Sequence, residues 1–561
     1  MTGGWDSGGR VLVNMRYQMV RVATAMFWIG MVWVGVAAVM PLQSGFAAGG
    51  SLTVSVRDEA DEQPVITRMV LERAGKPGRR VTVRKTVPAG VGLVLDRSAE
   101  FSLPDGQYRF SMIRGPEYRI ITGNFSLERT SLDDHSVALP RMVEMLQEGW
   151  TSGDCCIPPS PYSVPLRMAS EDLHLATVLG RMDAKPIAGR DDDEPPENDP
   201  SWINENATHE GGLVFYRYEA STDLNGNDPT SKDDEIDEGD GSKTLLPVER
   251  MVQLGPRDDV KIAVENPFAW QLPVWLASGQ VDGFFLLGDW LRLDRRVLSI
   301  SDGRGPLGAH TIGNKAIGRW AEKIYWNMLE AGFRIPPLAG TGDQGRQNPV
   351  GYNRLYVGKP PRDYNGGPPK ATRVESELEW WNAAWKGQSV ATNGPLLRPM
   401  LGGQLPGHVF KARPGEVLVL QAELQLAVRD PVEYLEVIHN GKVHYSARLD
   451  EFAKAGGMLP PVNAKESGWV TIRVVTLYED HFRAAMSAPW YIEFEGQPRV
   501  TSKSVEFFRQ WLTDYEDRLK RLPAAELQRQ VPFVRAARKF WTRKAEQVTP
   551  TEDPQRTHYD R

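Results

Sequence analysis

Apolar residues recur at every second position in two separated blocks, Ser51 to about Leu139 and Gly407 to about Phe494, and this alternation limits the fold more than any other feature of the chain. In the first block Leu52, Val54 and Val56, then Val81 and Val83, then Tyr108, Phe110 and Met112 keep the period, with turns such as Pro104-Asp105-Gly106 between the runs. Successive side chains on a strand point to opposite faces, so short alternating runs at this spacing predict an antiparallel β-sandwich. The second block repeats the pattern, and Asn440-Gly441 between two apolar runs predicts a hairpin turn. One core cannot serve 561 residues, so several domains are expected.

Between the blocks, from about Met142 to Tyr364, helical and strand patterns mix, which predicts α/β structure. Ala316 to Ala331 reads as a helix with Ile317, Trp320, Ala321, Ile324, Tyr325 and Met328 on one face and Gly332 as its C-terminal cap. Trp380, Trp381 and Trp385 stand at helical spacing, either to pack a helix on the core or to stack on sugar rings. Beyond the second block, Val505, Phe508, Leu512, Tyr515 and Leu519 form one stripe and Leu527, Val531, Val534 and Trp541 a second. They predict a C-terminal helical hairpin that docks on its own chain or joins two copies as a homodimer.

Arg10, Arg16 and Arg21 precede a 19-residue uncharged apolar run, Val22 to Met40, and Gly45 and Ala47 then supply small residues for a signal peptidase. Residues 1–48 therefore read as a signal peptide or an uncleaved N-terminal anchor, with the body extracytoplasmic, periplasmic or secreted. Membrane contact is expected only through that segment if it stays uncleaved. The two cysteines are neighbours, so no ordinary disulfide framework can form; they are either reduced and buried or joined to each other. A formal charge of -6 spread along the chain argues against a nucleic-acid partner.

An acidic insertion, 190–245, contains DLNGNDPTSKDD. This places Asp223, Asn225, Asn227 and Asp234 at positions one, three, five and twelve of a calcium loop, where carboxylate and amide oxygens would surround one Ca ion. Asp228 stands where such a loop requires glycine, and the other reading is an acidic segment without an ion. Nine histidines include no HxH or HExxH, and no GxSxG or phosphate-binding GxxxxGK[ST] occurs.

Several phrases in order carry a resemblance: GWTSGD from Gly149, EDLH from Glu171, PVWLASGQVD from Pro273, NPVGYNRLYV from Asn348 and TNGPLL from Thr392. Over roughly Arg141 to Phe540 the chain resembles the CehA/McbA branch of the PHP (polymerase and histidinol phosphatase) metallohydrolases, in the long secreted planctomycete-type form. LPDGQYRFSMIRGPEY, from Leu103, is similar to the end of a carboxypeptidase-regulatory-like or transthyretin-like sandwich. The resemblance implies a multidomain α/β plus β protein: a PHP-like distorted βα barrel core flanked by two β-sandwich domains and a C-terminal helical hairpin. The expected domains are a sandwich at 49–140, the core at 141–400, a second sandwich at 401–497, the hairpin at 498–545 and a disordered tail at 546–561.

The family fold gathers histidines and acids around two or three divalent ions, and its first motif is GDLHVH. Here the window is GDCCIP, with Cys156 and Pro158 in the histidine positions. The resemblance makes Asp154, Cys156, Glu171, His174 and Glu265 the metal candidates for Zn, Mn or Fe, with Asp343 in GTGD near the family's final aspartate motif. Each has a structural alternative: Asp154 a turn cap, His174 a hydrogen-bonded core histidine, Glu171 a surface charge, Glu265 an ion-pair partner. Thiolate can bind zinc, but proline offers no donor. The expectation is a catalytically impaired metallohydrolase-family protein that acts in the envelope by binding a small molecule, glycan or peptide. The alternative is an active metal-dependent hydrolase of phosphoesters, amides or carbamate esters with non-standard ligands.

Overall fold

The computed structural model describes residues 50–74, 80–81, 83, 86–129, 132–180, 200–217, 245–255, 259–291, 303–305, 313–342, 348–362 and 370–549. The protein is multidomain α/β and rich in sheet, with eight helices among the described residues. The expected export segment, the calcium quartet Asp223, Asn225, Asn227 and Asp234, Asp343 and the last dozen residues lie outside the described residues. No helix among the described residues is long and apolar enough to cross a membrane.

The first block folds as β1 (Gly50–Asp58), β2 (Ile66–Arg73), β3 (Pro88–Ala89), β4 (Gly92–Asp96), β5 (Ser98–Leu103), β6 (Gly106–Ile113), β7 (Ile121–Leu127) and β8 (Leu132–Leu139). They form a sandwich-like pair of sheets, β5-β1-β8 and β3-β4-β2-β6-β7. Every second residue of β1 is buried, as its alternation requires, and Leu52, Met69, Leu95, Phe101 and Met112 lie fully inside.

The middle segment comprises β9 (Trp150–Ile157), α1 (Val164–Ala169), β10 (Leu175–Leu179), β11 (Trp202–Glu210), β12 (Leu213–Arg217), α2 (Pro247–Leu254), β13 (Val260–Val264), α3 (Leu272–Ser278), β14 (Gly283–Leu287), α4 (Ala316–Glu330), β15 (Pro337–Ala339), β16 (Arg354–Arg362), β17 (Lys370–Thr372), α5 (Glu377–Trp385) and β18 (Ser389–Thr392). The sheet runs β15-β14-β13-β12-β11-β10-β9-β16-β18, with β10 parallel to β9. Every residue of β9, β10 and β14 is buried, because both faces are covered; such strands read as apolar runs and not as alternation. The sheet curls until the segment after β15 lies beside the end of β9, where Gly342 N donates to Cys156 O at 2.8 Å.

Helix α4 buries Trp320, Ala321, Ile324, Tyr325 and Met328, and Gly332 at φ +83° follows its last residues. Trp380 and Trp381 of α5 are fully buried, Trp380 Nε1 donates to Thr151 O, and Trp381 stacks on Trp385 at 5.1 Å. The tryptophan row therefore packs the helix and offers no open platform at Trp380 or Trp381.

The rest comprises β19 (Leu396–Leu401), β20 (Val409–Ala412), β21 (Leu418–Ala427), β22 (Val432–His439), β23 (Lys442–Ala447), α6 (Leu449–Lys454), β24 (Met458–Ala464), β25 (Gly468–Thr476), β26 (Ala484–Ser487), β27 (Trp490–Phe494), α7 (Ser502–Leu519) and α8 (Ala524–Glu546). Sheet β19-β21-β24 shares a core with β22, β25 and β27, through Leu420, Leu424 and Val462 against Val437, Ile472 and Ile492. Asn440 and Gly441, both at positive φ, make the hairpin turn between β22 and β23. The ladder from β18 to β26 joins this unit to the middle sheet edge to edge. Helices α7 and α8 pack together, with Phe508 stacked on Trp541 at 4.9 Å, and Trp541 Nε1 donates to Pro273 O of α3. Val531, expected on the buried stripe, is 37% exposed; Ala537 is buried instead.

Candidate functional site

Strand β9 carries Asp154 and Cys156 toward its C-terminal end, where the curl of the sheet brings the segment after β15 across them. Asp154 is fully buried. Its Oδ1 accepts from Cys156 N at 3.2 Å and Thr341 N at 2.9 Å, and its Oδ2 from Gly351 N at 2.7 Å and from Thr341 Oγ1. Burial pushes its pKa up to about 6 against these four donors. A carboxylate has about four lone-pair sites, so every one of them is engaged by protein.

Cys156 is likewise fully buried, and its carbonyl takes the bond from Gly342. Burial, then Glu265, Asp154 and Asp289, push its thiol well above the ordinary range. The neighbouring Cys155 is also a free, buried thiol, pushed up by burial. Glu265, just past β13 and 7% exposed, lies 3.4 Å from Nε2 of His209 on β11. The strand ends thus bring Asp154, Cys156 and Glu265 into one region, together with Asp289. Sequence reading missed His209; the Gly211-Gly212 turn after THE was the available signal, since a hairpin there aligns β11 with β12.

Glu171 and His174 are elsewhere. Both precede β10, and β10 runs parallel to β9 with Leu175 opposite Gly153. His174 is therefore level with Ser152, whose Oγ lies 2.9 Å from His174 Nδ1, and four residues, about 13 Å of strand, separate that level from Cys156. Burial lowers the His174 pKa to about 4, which leaves a neutral ring at neutral pH. Glu171 turns toward the first sandwich, where its carboxylate pairs with Arg68 of β2. Asp172, at φ +52°, accepts from Arg114 at 3.2 Å and Arg141 at 2.9 Å, and these guanidiniums hold it below the usual carboxylate range. Arg354 Nη2 donates to Glu171 O at 3.0 Å. Glu171 and Asp172 thus form a charged joint between the core and the first sandwich, while His174 is engaged by Ser152 of β9.

Among the described residues, no group of three or more His, Cys, Asp and Glu side chains is arranged to hold a metal ion. Comparison with protein-family models gave no match, and comparison with curated proteins gave none. Among solved structures, the Bacillus anthracis TIE protein matches at 18% identity with a TM-score of 0.14. The match covers 20% of this chain and 19% of that one, too little to carry an argument about fold or function.

Proposed function

We propose that this chain is an exported PHP-type protein of the CehA/McbA kind whose barrel core has exchanged catalysis for binding in the cell envelope. The observation that carries this reading is the saturation of Asp154 by four protein donors. A metal ligand must present a lone pair to the ion; these are spent on Thr341, Gly351 and Cys156. The adjacent donors point the same way. Pro158 has no donor, and Glu171 and His174 are engaged at the other end of the strands. The donor set as arranged does not fit the ions of the family site, so no catalytic step is assigned to them.

The test is elemental analysis of the full chain after equilibration with zinc, manganese and ferrous iron, with Asp154→Asn alongside. Substoichiometric metal in both proteins is expected. One equivalent in the wild type, lost in Asp154→Asn, would overturn the proposal in favour of an active hydrolase with non-standard ligands. The gathering of Cys156, Glu265, His209 and Asp289 at the strand ends is what favours that second reading, and hydrolysis of bis(p-nitrophenyl) phosphate by the metal-loaded protein would establish it.

A further inference from the structure

A cleft of about 470 Å³ opens at the junction of the two sandwich-like units, lined by none of the residues at the ends of β9 and β13. One side is apolar: Leu426 and Ala427 at the end of β21, and Phe452 of α6. The other carries Arg119 and Arg141, and Met142 also lines the cleft. Small-molecule sites are commonly clefts of several hundred Å³ between domains, with apolar walls and a few placed polar groups; here the polar groups contribute at least as much of the lining as the apolar ones.

The polar end is held in place. The Arg141 guanidinium lies over the Tyr118 ring at 4.6 Å and donates to Asp172 Oδ2, which leaves its side chain 21% exposed. Arg119 is exposed and makes no ion pair among the described residues. Next in sequence to Val428, which lines the cleft, Arg429 donates to Gly115 O at 3.0 Å and Tyr118 O at 3.2 Å and forms no ion pair among the described residues. Burial first, and then Arg483, push its pKa down to about 10, with Asp430 and Glu171 acting the other way. Of the carboxylates nearby, Asp172 is shared between Arg114 and Arg141, Asp430 pairs with Arg483, Glu171 with Arg68, and Asp450 on α6 with Lys454. Glu144 competes directly, at 3.3 Å from Arg141. Glu117 is buried and pushed up toward neutrality by burial and by Asp172.

We infer that this cleft binds a small organic acid with an apolar body, its carboxylate held by Arg119 and Arg141 and its body laid on Leu426, Ala427 and Phe452. The site is independent of the metal question, since none of its residues belongs to the strand-end region. Planar guanidiniums suit a carboxylate, and an apolar floor adds area without adding charge.

Calorimetric titration of the full chain with 4-phenylbutyrate, octanoate and indole-3-acetate tests it, with 4-phenylbutan-1-ol as the uncharged control. At least one acid should bind at one per chain, and the alcohol about tenfold or more weaker than the phenyl acid. Arg119→Gln should weaken binding by a similar factor, and Ala453→Trp, on an exposed position of α6 that lines the cleft, should block it. Glu144→Gln removes the competing carboxylate and should tighten binding. No heat from any acid, equal affinity for acid and alcohol, or an unchanged affinity in Arg119→Gln would each overturn the inference. A tightened acid in Glu144→Gln, which a merely disrupted surface would not produce, separates the proposed site from general destabilisation.

Discussion

Replacing Glu171 should reveal a structural joint and not a metal ligand. Its side chain is 4% exposed and that of its partner Arg68 5%, so the pair is shut away from water on both sides. Removing one member of such a pair leaves the other buried without compensation and costs about 3 to 5 kcal/mol. Glu171→Ala should lose about that much, and Glu171→Gln somewhat less, since its amide oxygen still accepts from Arg68 Nε. Replacing both members by methionine removes both charges together and should return the protein to within about 1 kcal/mol of the wild type. Urea unfolding measures the loss, and amide exchange along β2 localises it to the face that carries Arg68. The joint is tight there: a Cβ on Gly115 would sit 2.3 Å from Glu171 O. A metal ligand would behave otherwise. The loss would disappear in chelator-treated protein, and the second substitution at Arg68 would bring no recovery. Stability within about 0.5 kcal/mol of the wild type in Glu171→Ala would refute the burial argument itself.

Three further outcomes follow from the same geometry. Gly153→Ala would put a Cβ 2.4 Å from Cζ2 of Trp380, whose ring is fixed by its bond to Thr151 O, and should cost about 1 to 3 kcal/mol or more in a thermal or urea melt. His174 titrates near 4 folded against an ordinary 6.5, so the unfolded chain binds more protons in that window. Its contribution is complete above pH 6.5 and is lost as the pH falls toward 4, by about 3 kcal/mol at most, and His174→Gln should flatten a plot of stability against pH by that amount. Asp154, raised to about 6, acts in the opposite sense and loses its contribution as the pH rises through 6. Cys155 and Cys156 are fully buried with raised thiol pKa values, so neither should react with Ellman's reagent in the native protein at a pH of about 8, and both should after denaturation.

What could be read from the sequence was what local period determines. Alternation placed the two sandwich-like blocks, the 3.6-residue period gave the buried faces of α4 and α7, and Asn440-Gly441 gave its turn. The ladder joining β18 to β26 pairs Val390 with Ser487, and no local pattern announces a partner so far along the chain. The partners of the EDLH phrase were equally invisible. Arg68 and Arg114 are isolated arginines in a block read for its alternation, and only the packing of sandwich on core brings them to Glu171 and Asp172, where Arg141 from the start of the core joins them. Val531 failed for a nearer reason: the stripe was drawn as one continuous face, whereas in α8 the buried side passes through Val534, Ala537 and Trp541.

The same acidic and imidazole residues can therefore serve two chemistries, and what separates them is the supply of donors. A buried carboxylate must be met by a cation or by several N–H and O–H groups, because leaving it bare costs more than a folded domain can spare. At Asp154 the backbone of Thr341, Gly351 and Cys156 and the Thr341 hydroxyl meet the need without an ion. At Glu171 and Asp172 three arginines meet it, Arg68 and Arg114 from the first sandwich and Arg141 from the start of the core. Each solution consumes lone pairs that a metal would require, so a spelling that suggests ligands is compatible with a wholly structural role. Thr341 is then the informative position: Thr341→Val removes the hydroxyl and frees one lone pair of Asp154 while leaving its three backbone donors. If donor supply decides the role, that change should destabilise the protein by about 1 to 3 kcal/mol and leave Asp154 still unable to hold zinc, because one free site cannot replace the missing ligands at Cys156 and Pro158. Stoichiometric zinc in Thr341→Val would show that the remaining donors at the strand ends form a latent metal site, and the account of Asp154 as a structural residue would fail.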